Sequence, residues 1–323
     1  MARKKIKCNY NINRLERLLI PLLGFKPSYL LNVLTLVENW HDLIMFRIGL
    51  KKEFTLKLRS GSYFQINGSE DYFKFWAADG EGAQALALRL CAKNNIRIMN
   101  NQLLVLYKGR ILKFHISSKK QIASHAVVLN EQFVVEQYKW LDFKNCNVID
   151  IGANIGDSSI YFALNGAKHI YAFEPFPHSY KIALKNIESN GLSGRVTMLN
   201  EGCGASDSTI KIAEGYESNM SSGLKGFAKG KVIRILTLDS IVDRYNLQDA
   251  VLKSDCEGCE YKMILSCRLD TLRRFKQIML EYHYGYLDIE QKLKEAGFRV
   301  KHTMPFREIG GRITGEIYAT RIG

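Results

Sequence analysis

Residues 147–175 hold the feature that most constrains the fold: "NVIDIGANIG" and, a short way on, "YAFEP". The first five residues are almost continuously apolar, as expected of a strand buried on both faces. A glycine turn follows and opens a helix from Asp157 to Leu164, and "HIYAFE" (169–174) is a second apolar run. Strand, turn, helix and strand in this order belong to a parallel sheet with helices packed on its faces.

The alternation continues downstream. "HSYKIALKNIESN" reads as a helix and "RVTMLNEG" as a third strand. "AVLKSD" (250–255) is a fourth strand, "LDTLRRF" a helix, "QIMLEYH" (277–283) a fifth strand and "IEQKLKEAGF" a last helix. "TIKIAEG" and "KVIRILTL" read as an inserted antiparallel pair, with Asp239 expected to cap "SIVDRY", while "FRVKHTM" and "EIYATRI" read as closing strands. This predicts a doubly wound, Rossmann-like α/β domain over residues 131–323, with its ligand at the carboxyl ends of the strands. Residues 1–130 have another texture. They show a helix over 28–48 capped by Ser28, a hairpin of "FTLKL" and "SYFQI", a helix over 82–95, and short strands "IRIMN", "LLVLYK" and "ILKFHI". These predict a small N-terminal α+β domain with an antiparallel sheet.

Charge divides the chain at the same place. Of a net +14, residues 1–130 hold 21 Lys+Arg against 8 Asp+Glu, and the remainder 25 against 24. A basic N-terminal region suits an anionic partner: nucleic acid, a phosphorylated sugar, or weak association with an anionic surface. The plainer reading is a solvated cationic face. The early apolar run "LLIPLLGF" (18–25) is broken by Pro21 and falls far short of the roughly 20 residues of a membrane span. Arg14, Glu16 and Arg17 precede it and no A-x-A site follows, so a secretory signal is not expected. Seven scattered cysteines, an odd number, fit free thiols in a reducing cytoplasm better than a disulfide framework.

The glycine turn asks for a nucleoside. Gly152 and Gly156 leave room for a ligand to approach the backbone. A dinucleotide fingerprint would place glycines at 154 and 157, where this chain has Asn154 and Asp157. Asp157 also puts a negative charge where a pyrophosphate would rest, which disfavours NAD. Glu174, at the end of the next strand, stands where a carboxylate takes the two ribose hydroxyls. Asp150 offers a carboxylate to a cationic arm. A ribose without phosphates, a cationic amino-acid arm and a charge suited to an acidic pocket describe S-adenosylmethionine. The expected cofactor residues are Asp150, Gly152, Asn154, Gly156 and Glu174.

"VIDIGANIGDSSIYFA", "YAFEPFP", "LTLDSIV", "LKSDCEGCEY" and "MLEYH" together resemble the FkbM family of S-adenosylmethionine-dependent methyltransferases, over roughly residues 130–300. The resemblance implies a seven-stranded class I methyltransferase sheet with a reversed last strand. It also implies methyl transfer to oxygen, often a hydroxyl of a sugar or a polyketide-type natural product. Asp255, Glu257, Gly258 and Glu260 match the family's "D-x-E-G-x-E" stretch, whereas Cys256 and Cys259 stand where small apolar residues are expected.

Methyl transfer needs positioning first, and a hydroxyl acceptor must also lose its proton. Asp255, Glu257 and His283 are the expected catalytic residues, with Glu281 a further candidate base. Asp255 and His283 are expected to flank the acceptor hydroxyl. The same cluster could instead hold a divalent metal, which is not expected. The C-x-x-C of Cys256 and Cys259 invites a zinc or redox reading, but zinc takes four ligands and no second pair at ligand spacing is present, so two small buried side chains are expected. The leading expectation is an O-methyltransferase with a small-molecule or glycan acceptor in the cytoplasm. The alternative is an RNA methyltransferase using the basic N-terminal region. Against it, the chain has no Asn-Pro-Pro, Asp-Pro-Pro or Pro-Cys motif and no aromatics interleaved with the N-terminal basics.

Overall fold

The computed structural model describes residues 33–76, 80–116, 118, 121–216, 223–307 and 312–322. The run 18–25, Ser28 and Cys8 lie outside them. Chain order begins with α1 (Trp40–Arg47), β1 (Phe54–Lys57), β2 (Tyr63–Ile66), α2 (Ser69–Trp76), α3 (Glu81–Lys93), β3 (Ile96–Met99), β4 (Gln102–Tyr107), β5 (Arg110–His115) and α4 (Ile122–Asn130). The expected hairpin forms between β1 and β2, and β3–β4–β5 make a second antiparallel sheet. The helix expected over 28–48 is interrupted. A helical turn at 33–36 gives way at Val37, which bridges Leu58, before α1 begins. The cause is Asn39: its side chain donates to Thr55 O and accepts from Lys57 N, tying this stretch to β1.

A π-helical turn (Glu131–Val135) leads into β6 (Asn147–Ile151), α5 (Asp157–Leu164), β7 (His169–Phe173), α6 (Pro177–Ser189), β8 (Val196–Leu199) and β9 (Glu201–Cys203). Then follow β10 (Ser208–Ile212), β11 (Lys231–Leu236), α7 (Leu238–Arg244), β12 (Ala250–Ser254), α8 (Cys259–Ser266) and α9 (Leu269–Leu272). The chain closes with β13 (Phe275–Tyr282), α10 (Leu287–Glu295), β14 (Phe298–His302), β15 (Phe306–Arg307) and β16 (Ile313–Arg321). The main sheet has the strand order β14-β16-β13-β12-β6-β7-β8. β16 is antiparallel to both its neighbours, and β13, β12, β6, β7 and β8 run parallel to one another. This is the seven-stranded, Rossmann-like sheet with one reversed strand.

Two local expectations differ from the structure. The third strand splits at Asn200, whose side chain donates to Glu174 O and Pro175 O. β8 stays in the main sheet, while β9 joins β10 and β11 in a separate three-stranded sheet. The cap of α7 is Thr237, whose hydroxyl accepts from Ser240 N at 3.1 Å. Asp239 sits in the first turn of that helix and pairs with Arg268.

Alternating residues of the central strands feed two cores, which explains the continuous apolar runs. Val148, Val251 and Met279 face one core, built with Ile160 and Phe162 of α5. Ile149, Leu252, Ile278 and Leu280 face the other, built with Ile241, Ile264 and Leu293. The first core also takes in Leu103, Leu112, Phe114 and Leu129, so β4, β5 and α4 pack on the same apolar mass as α5. Residues from Val33 to Leu90 form a core of their own.

Candidate functional site

The carboxyl ends of β6, β7, β12 and β13 converge on two turns. The first is the loop after β6. Gly152, Asn154 and Gly156 all have left-handed backbone, with φ 77°, 46° and 83°. At Gly152 the requirement is double. A Cβ there would stand 1.9 Å from Asp255 O, so this glycine makes room for the turn after β12. Gly152 N and Ala153 N both donate to Phe173 O at 3.0 Å, and Asn186 Nδ2 donates to Ile155 O. The loop is thus held by three neighbouring elements.

Asp150 is fully buried and opposite Lys253 in the β6–β12 register. Lys253 Nζ lies 3.0 Å from Asp150 Oδ1 and donates to Gly152 O at the same distance. Ser158 and Ser159 hydroxyls each donate to Asp150 Oδ2 at 2.6 Å. A ligand's cationic arm would therefore meet a carboxylate that already has a cation. Glu174 closes the loop from the other side: Oε2 accepts from Asn154 N and Oε1 from Phe176 N, both at 2.9 Å. Burial raises the Glu174 carboxyl to about 7 against these amide bonds. Burial also raises Asp157 to about 7, with Lys253 opposing and Asp150 reinforcing. Asp157 thus puts an acid in the first turn of α5, where a helix N-terminus otherwise favours a phosphate.

The second turn follows β12. Cys256 and Cys259 are joined in a disulfide that encloses Glu257 and Gly258, at φ 58° and 109°. Glu260, fully buried, accepts from Cys256 N and Gly258 N, both at 2.8 Å. His283, also buried, stands among three carboxylates. Its Nε2 lies 3.3 Å from Glu257 Oε2 and 3.9 Å from Asp255 Oδ1, and its Nδ1 3.4 Å from Glu260 Oε1. Arg312 reaches Glu257 Oε2 at 2.5 Å. Burial alone would lower the imidazole, but the bonds and charges of Glu257 and Glu260 push it up to about 12. Burial likewise opposes ionisation of Glu257, yet His283 and Arg312 hold that carboxyl below its ordinary range. Asp255 keeps a third of its side chain exposed. Its carboxyl is raised to about 7 by burial and by Glu281, against the pull of Lys253.

Asp255, Glu257 and His283 come together as expected, but in direct contact. At 3.9 Å, Asp255 and His283 leave no space for a hydroxyl hydrogen-bonded between them. The carboxylates around the ring favour its charged, proton-donating form. Asp255, Glu260 and His283 offer ligand atoms within 4.8 Å of one another and are the described group that could hold a metal ion. The expectation of two small buried side chains with free thiols at 256 and 259 is corrected: both are partly exposed and joined in a disulfide; among the described residues Cys91, Cys146, Cys203 and Cys267 are free. Lys253 and Arg312 went unread in the sequence. The lone Lys inside the apolar "AVLKSD" was a signal, whereas Arg312 had none.

Residues 150–300 match the methyltransferase FkbM domain. No curated protein matches the chain. Solved structures that the chain matches include precorrin-6y C5,15-methyltransferase from Geobacter metallireducens, 16% identical, TM-score 0.33, covering 64% of this chain and 91% of its own. M. capricolum TrmK, solved with S-adenosyl-homocysteine, is 16% identical with TM-score 0.38, covering 58% of this chain and 68% of its own. A SAM-dependent methyltransferase from Agrobacterium tumefaciens is 11% identical with TM-score 0.41, covering 70% and 72%.

Proposed function

Taking as premise that residues 150–300 form a methyltransferase domain of the FkbM type, we propose that the protein is an S-adenosylmethionine-dependent O-methyltransferase. Its acceptor is a hydroxyl of a sugar, glycan or small natural product, and the reaction takes place in the cytoplasm. S-adenosylmethionine supplies a methyl group on a sulfonium, transferred in line to the acceptor. Glu174 carries the reading: each oxygen spends one lone pair on an amide and keeps another for a ribose hydroxyl. Gly152, Asn154 and Gly156 shape the loop, and Asp150 with Lys253 fixes it from beneath.

Asp255 is the proposed base. It is more exposed than Glu257 or Glu260, and at about 7 it is poised to take a proton near neutrality. Glu257 and His283 set the charge around it. The basic N-terminal region chooses the acceptor; its part from Val33 to Leu90 has a core of its own, while Leu103, Leu112, Phe114 and Leu129 share the core of the methyltransferase sheet. In the described residues no helix is long and apolar enough to cross a membrane.

Calorimetry with S-adenosylhomocysteine, NAD and short RNA tests the reading. Binding of S-adenosylhomocysteine alone is expected; NAD binding, or a salt-resistant, sequence-selective RNA complex, would refute it. With methyl-labelled cofactor and cell extract, label is expected in a ribonuclease-resistant fraction. Asp255→Asn should lower that transfer by about 10²–10⁴ while S-adenosylhomocysteine binds as before.

A further inference from the structure

We propose that Cys256 and Cys259 form a thiol–disulfide exchange site whose partner is a dithiol or disulfide, and whose state sets the shape of the acidic turn. The pair is joined across Cα atoms 5.4 Å apart. Inside the ring it closes lie the two left-handed residues of the turn, Glu257 and Gly258. A residue with a side chain such as Glu257 holds that conformation against a steric clash, so it persists only where the surroundings impose it. The disulfide is one such constraint, and Glu260 gripping Cys256 N and Gly258 N is the other.

Access supports exchange. Cys256 and Cys259 are partly exposed, whereas Cys91, Cys203 and Cys267 are buried. Cys259 is also the first residue of α8, where the helix N-terminus favours a departing thiolate. In the forward step a thiolate of the reductant attacks one sulfur, the S–S bond breaks, and a mixed disulfide forms. The reductant's second thiol displaces it. The cysteines gain two electrons and two protons, and the reductant leaves as a disulfide. Oxidation runs in reverse with a disulfide as acceptor. In a reducing compartment a disulfide of this kind is transient or redox-sensing and not a structural staple.

Opening the ring frees Glu257 to leave His283 and Arg312. It also slackens the turn where Asp255 O and Cys256 Cα crowd Gly152, within 1.9 and 3.2 Å of the position of its absent Cβ. This coupling to the cofactor loop rests on the methyltransferase reading; the exchange itself does not.

The test uses the full chain. It is equilibrated with and without dithiothreitol under native conditions, alkylated with iodoacetamide and read by mass spectrometry. Hydrogen exchange of the peptide spanning 254–262 is measured in both states. Without reductant, positions 256 and 259 are expected to resist alkylation; with it, both are modified and exchange in the turn rises about tenfold or more. Cys256→Ser/Cys259→Ser should behave as the reduced protein and ignore dithiothreitol. Alkylation without reductant, unchanged exchange on reduction, or the same dithiothreitol response in the double variant would each overturn the proposal. The wild-type arms decide it even if the variant fails to fold. S-adenosylhomocysteine titrated in both states isolates the premise: binding in neither state refutes the cofactor reading and leaves the exchange result standing.

Discussion

The loop after β6 and the turn after β12 solve one problem in two ways. Each carries left-handed residues at a strand end, and each is braced by a buried glutamate that accepts from two backbone amides: Glu174 from Asn154 and Phe176, Glu260 from Cys256 and Gly258. The brace of the first loop comes from another strand, and its floor is a buried ion pair of Asp150 and Lys253. The brace of the second comes from within the turn, where Asp255, Glu257 and its partner Arg312 are partly exposed and Cys256 and Cys259 are joined by a disulfide. The first is fixed by the sheet and the second is self-contained. A site that must hold one ligand rigidly and adjust to another benefits from that division.

The largest expected effect breaks the fixed side. Lys253→Met leaves Asp150 buried without its cation and should cost about 3–5 kcal/mol in denaturant unfolding. The matching change at the turn, Arg312→Ala, leaves Glu257 still facing His283 and should cost about 0–1 kcal/mol, the range of partly exposed pairs. Equal losses would erase the contrast.

Next is ligand binding. Glu174→Ala should weaken S-adenosylhomocysteine by about 1–3 kcal/mol, as a lost charge-assisted bond does. Glu260→Ala should weaken it clearly less in the same calorimetry, since Glu260 reaches the cofactor loop only through the turn that abuts Gly152. A comparable loss from both would show that the two turns act as one.

The smallest effect is a pH dependence of the ligand-free protein. Asp157 is raised in the folded state to about 7, against about 3.9 unfolded. Its proton therefore adds stability that is complete below the unfolded value and lost as pH climbs through about 7. Asp157→Asn removes that loss, so its advantage over wild type should grow between pH 5 and pH 8, by about 1 kcal/mol or more. A constant difference in melting temperature across that range would place Asp157 outside the buried network.

The sequence made the sheet legible because strands buried on both faces announce themselves as apolar runs. It made Glu174 and the glycines legible because they end strands and open helices. It could not disclose who pairs with whom. Asp150 read as free for a ligand because its cation lies on a strand far along the chain, and only strand register brings the two together. His283 read as a neighbour of Asp255 and Glu257, but nothing in the sequence set Glu260 against its other ring nitrogen. The break at Asn200 was hidden because "RVTMLNEG" has strand-forming residues on both sides of it.

The ion pair of Asp150 and Lys253 also bears on how the chain assembles. β12 must find its place between β6 and β13 with only parallel, distant neighbours to guide it, a slow kind of search. Apolar residues on both faces tolerate misalignment poorly but do not forbid it. A slip of one position would turn Lys253 toward Ile149, Ile151 and Leu280, an ammonium in hydrocarbon with no carboxylate to meet it. The pair is therefore a key cut for a single alignment: it makes the wrong sheet prohibitive before any ligand is bound.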